Sequence, residues 1–414
     1  MKASIDRIVE IHQVFVTYEE QVVASDIDSP HRSAEKKQLL KRMSKFYGSW
    51  NNLHPRHRLL EALHGFYRYK EKNLPELERW KTLYDNASPQ QKMLLEDTVQ
   101  YSQKFASVAN LITANHELCQ EVLQSALEFY EIHPSELEQF VRDRESHGHT
   151  ADRVSVSQGL KHLVRDWSDE GDVERIQAFP IILRSLHNLF PNRENQRVRI
   201  LLPGSGLGRL GHEIAALRGF EVTNNEWSMY MNTLYRFIEK QKDMNNRKVH
   251  PFVDSWSHHS TSANMMRGVL FPDKYINSND VLLVEGDFTT ILKGHGKFDA
   301  IVTHFFIDTA RNLMAYLDTI HRLLKPGGFW INYGPLLYGS GPFVQLSLDE
   351  LMQVIVAKGF HLVNSPSQEA LHADIRNTTL QDIPVWSVEA TYGFDARALV
   401  KNAYLAQFWI AMKI

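Results

Sequence analysis

Apolar residues recur at helical spacing through the first 150 positions. Ile5, Ile8, Val9, His12 and Phe15 form one stripe, and Leu39, Leu40, Met43, Phe46, Tyr47 and Trp50 a second. Leu59, Leu60, Leu63, Phe66 and Tyr67 form a third, after the break at Asn51-Asn52-Leu53-His54-Pro55. Ser88-Pro89 predicts a helix start, with serine as N-cap and proline at the first helical position. The pattern then runs towards Tyr130 with one interruption. Polar residues from Arg142 to Asp152 mark a boundary, giving a helical region over 1–150 and a second region over 151–414. In the second, short apolar runs alternate with helical patterns: Val198–Leu202, Phe220–Thr223, Val281–Val284, Asp299–Thr303 and Phe329–Tyr333. That order predicts an α/β fold, with a mostly parallel sheet carrying helices on both faces. Thr309 to Leu324 reads as an amphipathic helix, Ser347-Leu348-Asp349-Glu350 as a capping box and Ala403 to Met412 as a strand. The stretch 245–279 is long for a connection and is a candidate substrate cover.

Composition narrows the class. The 414 residues are 43% hydrophobic and 23% charged, ordinary for a globular protein with a substantial core. A formal net charge of −3 gives no global field for nucleic acid or an anionic membrane. Cys119 is the single cysteine, so no intrachain disulfide forms. The start Met1–Asp6 has no apolar core of a signal peptide, and no run of 18 or more apolar residues exists. These features imply a cytoplasmic or nuclear protein.

The chemistry gathers behind the first strand. Pro203-Gly204-Ser205-Gly206-Leu207-Gly208 follows it and opens a helix, and Glu226 comes 18 residues after Gly208, at the end of the next apolar run. Glycines let the backbone approach a ligand, and a later acid accepts hydrogen bonds from ribose hydroxyls. This spacing fits NAD oxidoreductases as well as enzymes using S-adenosylmethionine (AdoMet). Lys325-Pro326-Gly327-Gly328, ahead of Phe329-Trp330-Ile331-Asn332, favours a methyltransferase.

From Val154 onward the chain resembles the carnosine N-methyltransferase family of class I AdoMet-dependent methyltransferases. The residues that carry this are Val164-Arg165-Asp166-Trp167-Ser168 with Glu174-Arg175, then Pro203–Leu210 and Asn225-Glu226-Trp227-Ser228. Phe271-Pro272-Asp273, Gly286-Asp287-Phe288, Phe305-Phe306-Ile307-Asp308-Thr309-Ala310 and Ile331–Tyr338 follow in order, and Phe66–Lys70 matches more loosely. The resemblance implies a class I methyltransferase, Rossmann-like sheet with an N-terminal helical part, and AdoMet as cofactor. It assigns Arg165 to the AdoMet carboxylate, with His162 where the family has glutamine. Gly204 and Gly206 then lie along the methionine portion, Glu226 at the ribose, Asp287 and Phe288 at the adenine, and His304 lining the cofactor. Leu202, two residues before the first glycine, stands where many class I enzymes carry an acid; the resembled family lacks it too.

Asp308 is the catalytic candidate. A neutral imidazole already predominates at neutral pH, since an unperturbed ring titrates near ~6.5. The enzyme therefore has to select a tautomer and orient the ring, which a carboxylate accepting one N–H achieves. For the acceptor, the resemblance implies contacts from Asp308, Gly339, Asn402 and Tyr404. Gly339 replaces a family histidine, and Asn402 the first of two tyrosines spaced two apart. The resemblance implies methylation of carnosine to anserine, with these two departures weakening the contacts to carnosine. A peptide or protein histidine is the competing acceptor, and a non-catalytic scaffold the reading of a different class. A homodimer is compatible with the sequence, and no metal is expected.

Plainer roles stand beside these. Glu226 could be a solvated acid at a helix start, Arg165 a surface partner of Asp166 or Glu170, Asp287 a turn acid and Phe288 core packing. Asp308 could cap the following helix, and Tyr404 could be core. His258-His259 and His147-Gly148-His149 lack a complementary ligand set.

Overall fold

The computed structural model describes residues 28–363, 375–377, 380 and 383–414. The expected stripe from Ile5 to Phe15 lies outside them. The N-terminal part is helical: α1 (Pro30–Met43), α2 (Pro55–Tyr67), α3 (Tyr69–Tyr84), α4 (Pro89–Val99), α5 (Tyr101–Phe129) and α6 (Pro134–Ser146). Ser88 caps α4 through a capping box with Gln91, and the interruption falls at Gln100, in left-handed conformation (φ 50°). The stripe from Leu39 to Trp50 is cut short. α1 ends at Met43 because Ser44 turns extended, and Phe46, 96% exposed, has no core to face. α6 carries the polar run as far as Ser146, and Gly148 (φ 77°) follows.

α7 (Arg153–Trp167) and α8 (Asp172–Leu189) lead into the sheet. Its strands are β1 (Val198–Pro203), β2 (Phe220–Glu226), β5 (Val281–Glu285), β6 (Phe298–His304), β7 (Leu324–Gly334), β8 (Phe360–Val363), β9 (Ile375–Asn377), β10 (Val385–Thr391) and β11 (Ala403–Lys413). Among the described residues the order is β5-β2-β1-β6-β7-β11-β10-β9, with β8 also paired to β11. β5, β2, β1, β6 and β7 run parallel, as their near-continuous apolar sequences imply, and β11 closes antiparallel on β7. The order reverses between β1 and β6, so the crevice beyond their carboxyl ends is where such sheets bind ligands.

Helices α9 (Arg209–Ala216) and α10 (Met229–Glu239) follow β1 and β2. On one face of the sheet, Ile182, Leu186 and Ile214 pack on Ile200, Val222 and Val302. On the other, Leu317 and Ile320 of α13 (Leu313–Leu323) and Leu351 of α14 (Leu348–Ala357) pack on Ile301 and Trp330. α13 starts four residues later than its sequence pattern indicates. Ile307–Thr309 is a separate 3₁₀ turn, Ala310 is extended, and Asn312 caps the helix. A third core joins Phe66, Phe105 and Ile112 of the N-terminal helices to Leu160 and Leu163 of α7 and Leu234 of α10.

The 245–279 stretch folds as a hairpin, β3 (Arg247–Val249) and β4 (Val269–Phe271), around the short α11 (Ser262–Met266). Its Phe252, Met265 and Phe271 are buried in that third core, so the insert is anchored to the helices. Its outer part also meets the β10–β11 loop: Arg267 pairs with Asp395, and Leu399 N donates to His258 O. Among the described residues no helix is long and apolar enough to cross a membrane.

Candidate active site

The glycine turn after β1 is in left-handed conformation at Gly204 (φ 66°) and Gly206 (φ 57°), where a side chain would be strained. The two glycines differ in what they face. A Cβ on Gly204 would lie 2.2 Å from the Phe306 ring, so the protein itself fills that space. A Cβ on Gly206 would meet only Arg165 Nη2 and Asp166 Oδ2, each at 3.8 Å. Gly206 is thus the position whose missing side chain leaves room beside the Arg165–Asp166 pair.

That pair closes the end of α7. Arg165 Nε donates to Asp166 Oδ1 at 2.9 Å, and the guanidinium lies over Tyr392 and Phe394, 5.0 and 5.5 Å from their centroids. Glu174 holds this aromatic loop by accepting from Gly393 N and Phe394 N at 2.9 and 2.6 Å. Asp166 is buried and the Arg165 side chain largely so, which leaves Arg165 no free surface residue. Burial alone would raise the Asp166 pKa, but the charge and hydrogen bond of Arg165 outweigh it and hold the carboxyl below its usual range. Burial, then the Arg165 charge, lowers His162 to about 4 and His304 to about 3, so both imidazoles are neutral. His162 Nδ1 stands 3.9 Å from Asp166 Oδ2, too far for a hydrogen bond. His162 Nδ1, His304 Nε2 and Ser205 Oγ are all buried without a partner. Such atoms in a native fold call for a ligand or water. Together with Arg165 and the open face of Gly206, they fit the carboxylate and ammonium of an amino acid.

Glu226, at the carboxyl end of β2, is buried rather than solvated. Its Oε2 accepts from Gly206 N at 2.8 Å and its Oε1 from Trp227 N and Ser228 N at 2.7 Å each. Burial pushes its pKa up, and these backbone donors oppose the shift. The carboxylate is fixed across the β1 and β2 loops, with room on Oε2 for one further donor. Asp287 is exposed and caps the short α12 (Phe288–Ile291), its Oδ1 accepting from Thr289 N at 2.8 Å. Phe288 is buried edge-on to Phe306 and Tyr316, at 5.6 Å from each centroid. The turn-acid and core-packing roles of these two residues are therefore present.

Beyond β6 the chain turns sharply. Phe305 adopts φ 50°, uncommon for a bulky residue, and its N donates to Tyr333 O at 2.8 Å. It stacks on Tyr392 (4.9 Å) and meets Tyr404 edge-on (6.1 Å). The following 3₁₀ turn presents Asp308, 7% exposed, whose Oδ2 accepts from Leu337 N at 3.2 Å. Burial raises its pKa to about 6, against the backbone N–H groups of Leu337 and of Asp308 itself. Asp308 does not cap α13; Asn312 does. Leu337 is 64% exposed, Gly339 is exposed with nothing within 4 Å of a Cβ, and Asn402 is exposed while its O accepts from Tyr392 N. The structure thus brings Asp308 to the 334–339 segment, and Asn402 and Tyr404 to the Phe305–Tyr392 aromatics.

Sequence reasoning passed over Ser205, Asp166, Phe305, Phe306, Tyr392 and Phe394 as site residues. Ser205, Asp166, Phe305 and Phe306 lie inside the quoted motifs. Tyr392 and Phe394 carry no local signal, because only the return of β11 beside β7 brings their loop to Arg165.

A parallel sheet with a glycine turn after β1, an acid ending β2, a ligand crevice at the β1–β6 reversal and β11 inserted antiparallel between β7 and β10 defines a class I methyltransferase fold. The model of the carnosine N-methyltransferase family matches residues 142–414. The chain is 38% identical over 225 residues to the carnosine N-methyltransferase of Mus musculus, covering 51% of this chain and 56% of that protein. It is 32% identical to that of Rattus norvegicus over 69% of this chain and 72% of that one. To the enzyme of Schizosaccharomyces pombe it is 29% identical, over 85% of this chain and 94% of that one. The chain belongs to the carnosine N-methyltransferase family.

Proposed function

We propose that this protein transfers a methyl group from AdoMet to an imidazole nitrogen of a histidine-containing dipeptide, with carnosine as acceptor and anserine as product. The observation that carries this reading is Asp308: a buried carboxylate tied to the Leu337 N–H, beyond β6 at the ligand-binding edge of the sheet. Bound AdoMet supplies an electrophilic methyl on a sulfonium. Arg165, with Ser205, His162 and His304, holds its amino-acid end, and Glu226 its ribose. Asp287 and Phe288 take the adenine, Asp287 through the edge of its carboxylate. Asp308 accepts the N–H of one ring nitrogen, which leaves the lone pair of the other directed at the methyl carbon. As the new N–C bond forms and the S–C bond breaks, the ring becomes cationic, and Asp308 balances that charge and holds the ring proton. Phe305, Tyr392 and Tyr404 wall the acceptor from water.

The test is transfer of label from radiolabelled AdoMet to carnosine, with the product identified as the N-methylated dipeptide. AdoMet binding without transfer to any imidazole compound would favour a scaffold. NAD binding in place of AdoMet would favour an oxidoreductase.

The exposure of Gly339, Leu337 and Asn402 supports a roomier acceptor mouth, and with it a second acceptor, a histidine in a longer peptide. Gly339→His together with Asn402→Tyr adds a polar ring and a phenol there. Carnosine kcat/KM should then rise against that of a longer histidine peptide by a factor corresponding to about 1–3 kcal/mol. An unchanged ratio would mean that neither position lines the acceptor.

A further inference from the structure

The roles assigned so far leave the N-terminal helices without a part in the chemistry, yet they lie over the adenosine end of the crevice. Tyr130, the C-cap of α5, donates to Glu285 Oε2 at 2.8 Å, and Arg236 grips the other oxygen, fixing the end of β5 just before Gly286-Asp287. α2 starts at Pro55 with His54 as its cap and carries Arg58 at the end of its first turn. This side chain reaches across to β2: Nη2 donates to Trp227 O, and the guanidinium lies 3.6 Å from the centroid of the Trp227 ring. Trp227 follows Glu226 directly, and its N–H is one of the donors holding that carboxylate.

Arg58 differs from its neighbouring arginines. Arg56 of the same helix and Arg68 just beyond it form ion pairs with Glu136 and Glu145. Among the described residues no carboxylate lies within ion-pair distance of Arg58. Burial lowers its pKa to about 10, and the charges that oppose this are those of Glu226 and Asp287. A guanidinium partly removed from water is thus set towards the two carboxylates expected along ribose and adenine, without being neutralised by either. Its planar fork keeps donors for a ligand after the bond to Trp227 O.

We propose that Arg58 is a cofactor-binding residue, supplied by the N-terminal helices, that closes the adenosine end of the pocket together with Trp227. Its guanidinium donates to an acceptor of the adenosine moiety, and cofactor binding ties α2 to the end of β2. This rests on the AdoMet reading above, and the experiment separates failure of the two.

Calorimetry on the full chain uses S-adenosylhomocysteine and methylthioadenosine, which keeps adenine and ribose and lacks the amino-acid arm. Wild-type protein that binds neither ligand overturns the cofactor reading itself. With wild-type binding established, Arg58→Ala should weaken both ligands alike, by about 10–100-fold, as expected for lost charge-assisted hydrogen bonds. Arg58→Lys should recover part of the loss, since it keeps the charge but not the fork. Arg165→Ala should weaken S-adenosylhomocysteine and leave methylthioadenosine within about threefold, because Arg165 serves the missing arm. Affinities of Arg58→Ala within twofold of wild type overturn the proposal, as does a loss confined to S-adenosylhomocysteine. Hydrogen exchange on the wild type gives a second reading that needs no variant. Methylthioadenosine should protect residues 55–67 as well as 226–230, and protection of 226–230 alone overturns the proposal.

Discussion

Asp308→Asn should lower kcat by about 10²–10³, the usual loss for one well-placed electrostatic group, while AdoMet affinity stays within about twofold. The amide keeps the shape and still accepts from Leu337 N, but it neither selects the ring tautomer nor balances the cationic product. The pH dependence sharpens the test. Asp308 must be ionised and titrates at about 6 in the fold. The substrate imidazole must be neutral and titrates near ~6.5. In wild type, log kcat/KM should therefore fall below pH ~6 with a slope approaching two, and in Asp308→Asn with a slope of one. Stability moves the other way. The folded pKa is raised, so the folded state holds the proton more tightly, and that advantage is lost as pH rises through about 6. An asparagine carries no such cost, so the melting temperature of Asp308→Asn at pH 7.5 should equal or exceed that of wild type. Turnover within a few-fold of wild type together with a lower melting temperature would reduce Asp308 to a tether for the Leu337 segment.

The parts of this molecule legible in its sequence are those written in local chemistry. The parallel strands show as apolar runs because both of their faces are buried. The α4 start shows at Ser88-Pro89, the α14 start at Ser347–Glu350 and the glycine turn at Gly204–Gly208, because caps and left-handed turns restrict residue type position by position. Asp308 was legible as a polar residue just past a strand at the ligand-binding edge. What stayed hidden depends on tertiary contact. The stripe that continues past Met43 in sequence leaves Phe46 without a core to face, and α1 stops at Met43. Phe288 serves the core, and the neutral state of His162 and His304 arises from burial beside Arg165. The reach of Arg58 to Trp227 spans 169 residues and leaves no periodic trace.

Arg165→Ala should produce the other large effect, on stability and cofactor affinity together. Its side chain and that of Asp166 are only 14% and 8% exposed, so removing the cation strands a buried carboxylate, which typically costs about 3–5 kcal/mol. AdoMet affinity should also fall by more than about tenfold if the guanidinium holds the ligand carboxylate. A second variant separates these effects. In Arg165→Leu with Asp166→Asn neither charge remains, so much of the lost stability should return, while the affinity should not. The loss in the single variant should also depend on pH. With Arg165 gone, burial, which raises the Asp166 pKa, loses its main opponent. The stranded carboxylate then takes up a proton in acid, so Arg165→Ala should be less destabilised at pH 5.5 than at pH 8 when each is compared with wild type. Denaturant melts at the two pH values and titrations with S-adenosylhomocysteine measure both quantities. If the double variant regains affinity along with stability, Arg165 is there for Asp166 alone, and the carboxylate of the cofactor is held elsewhere.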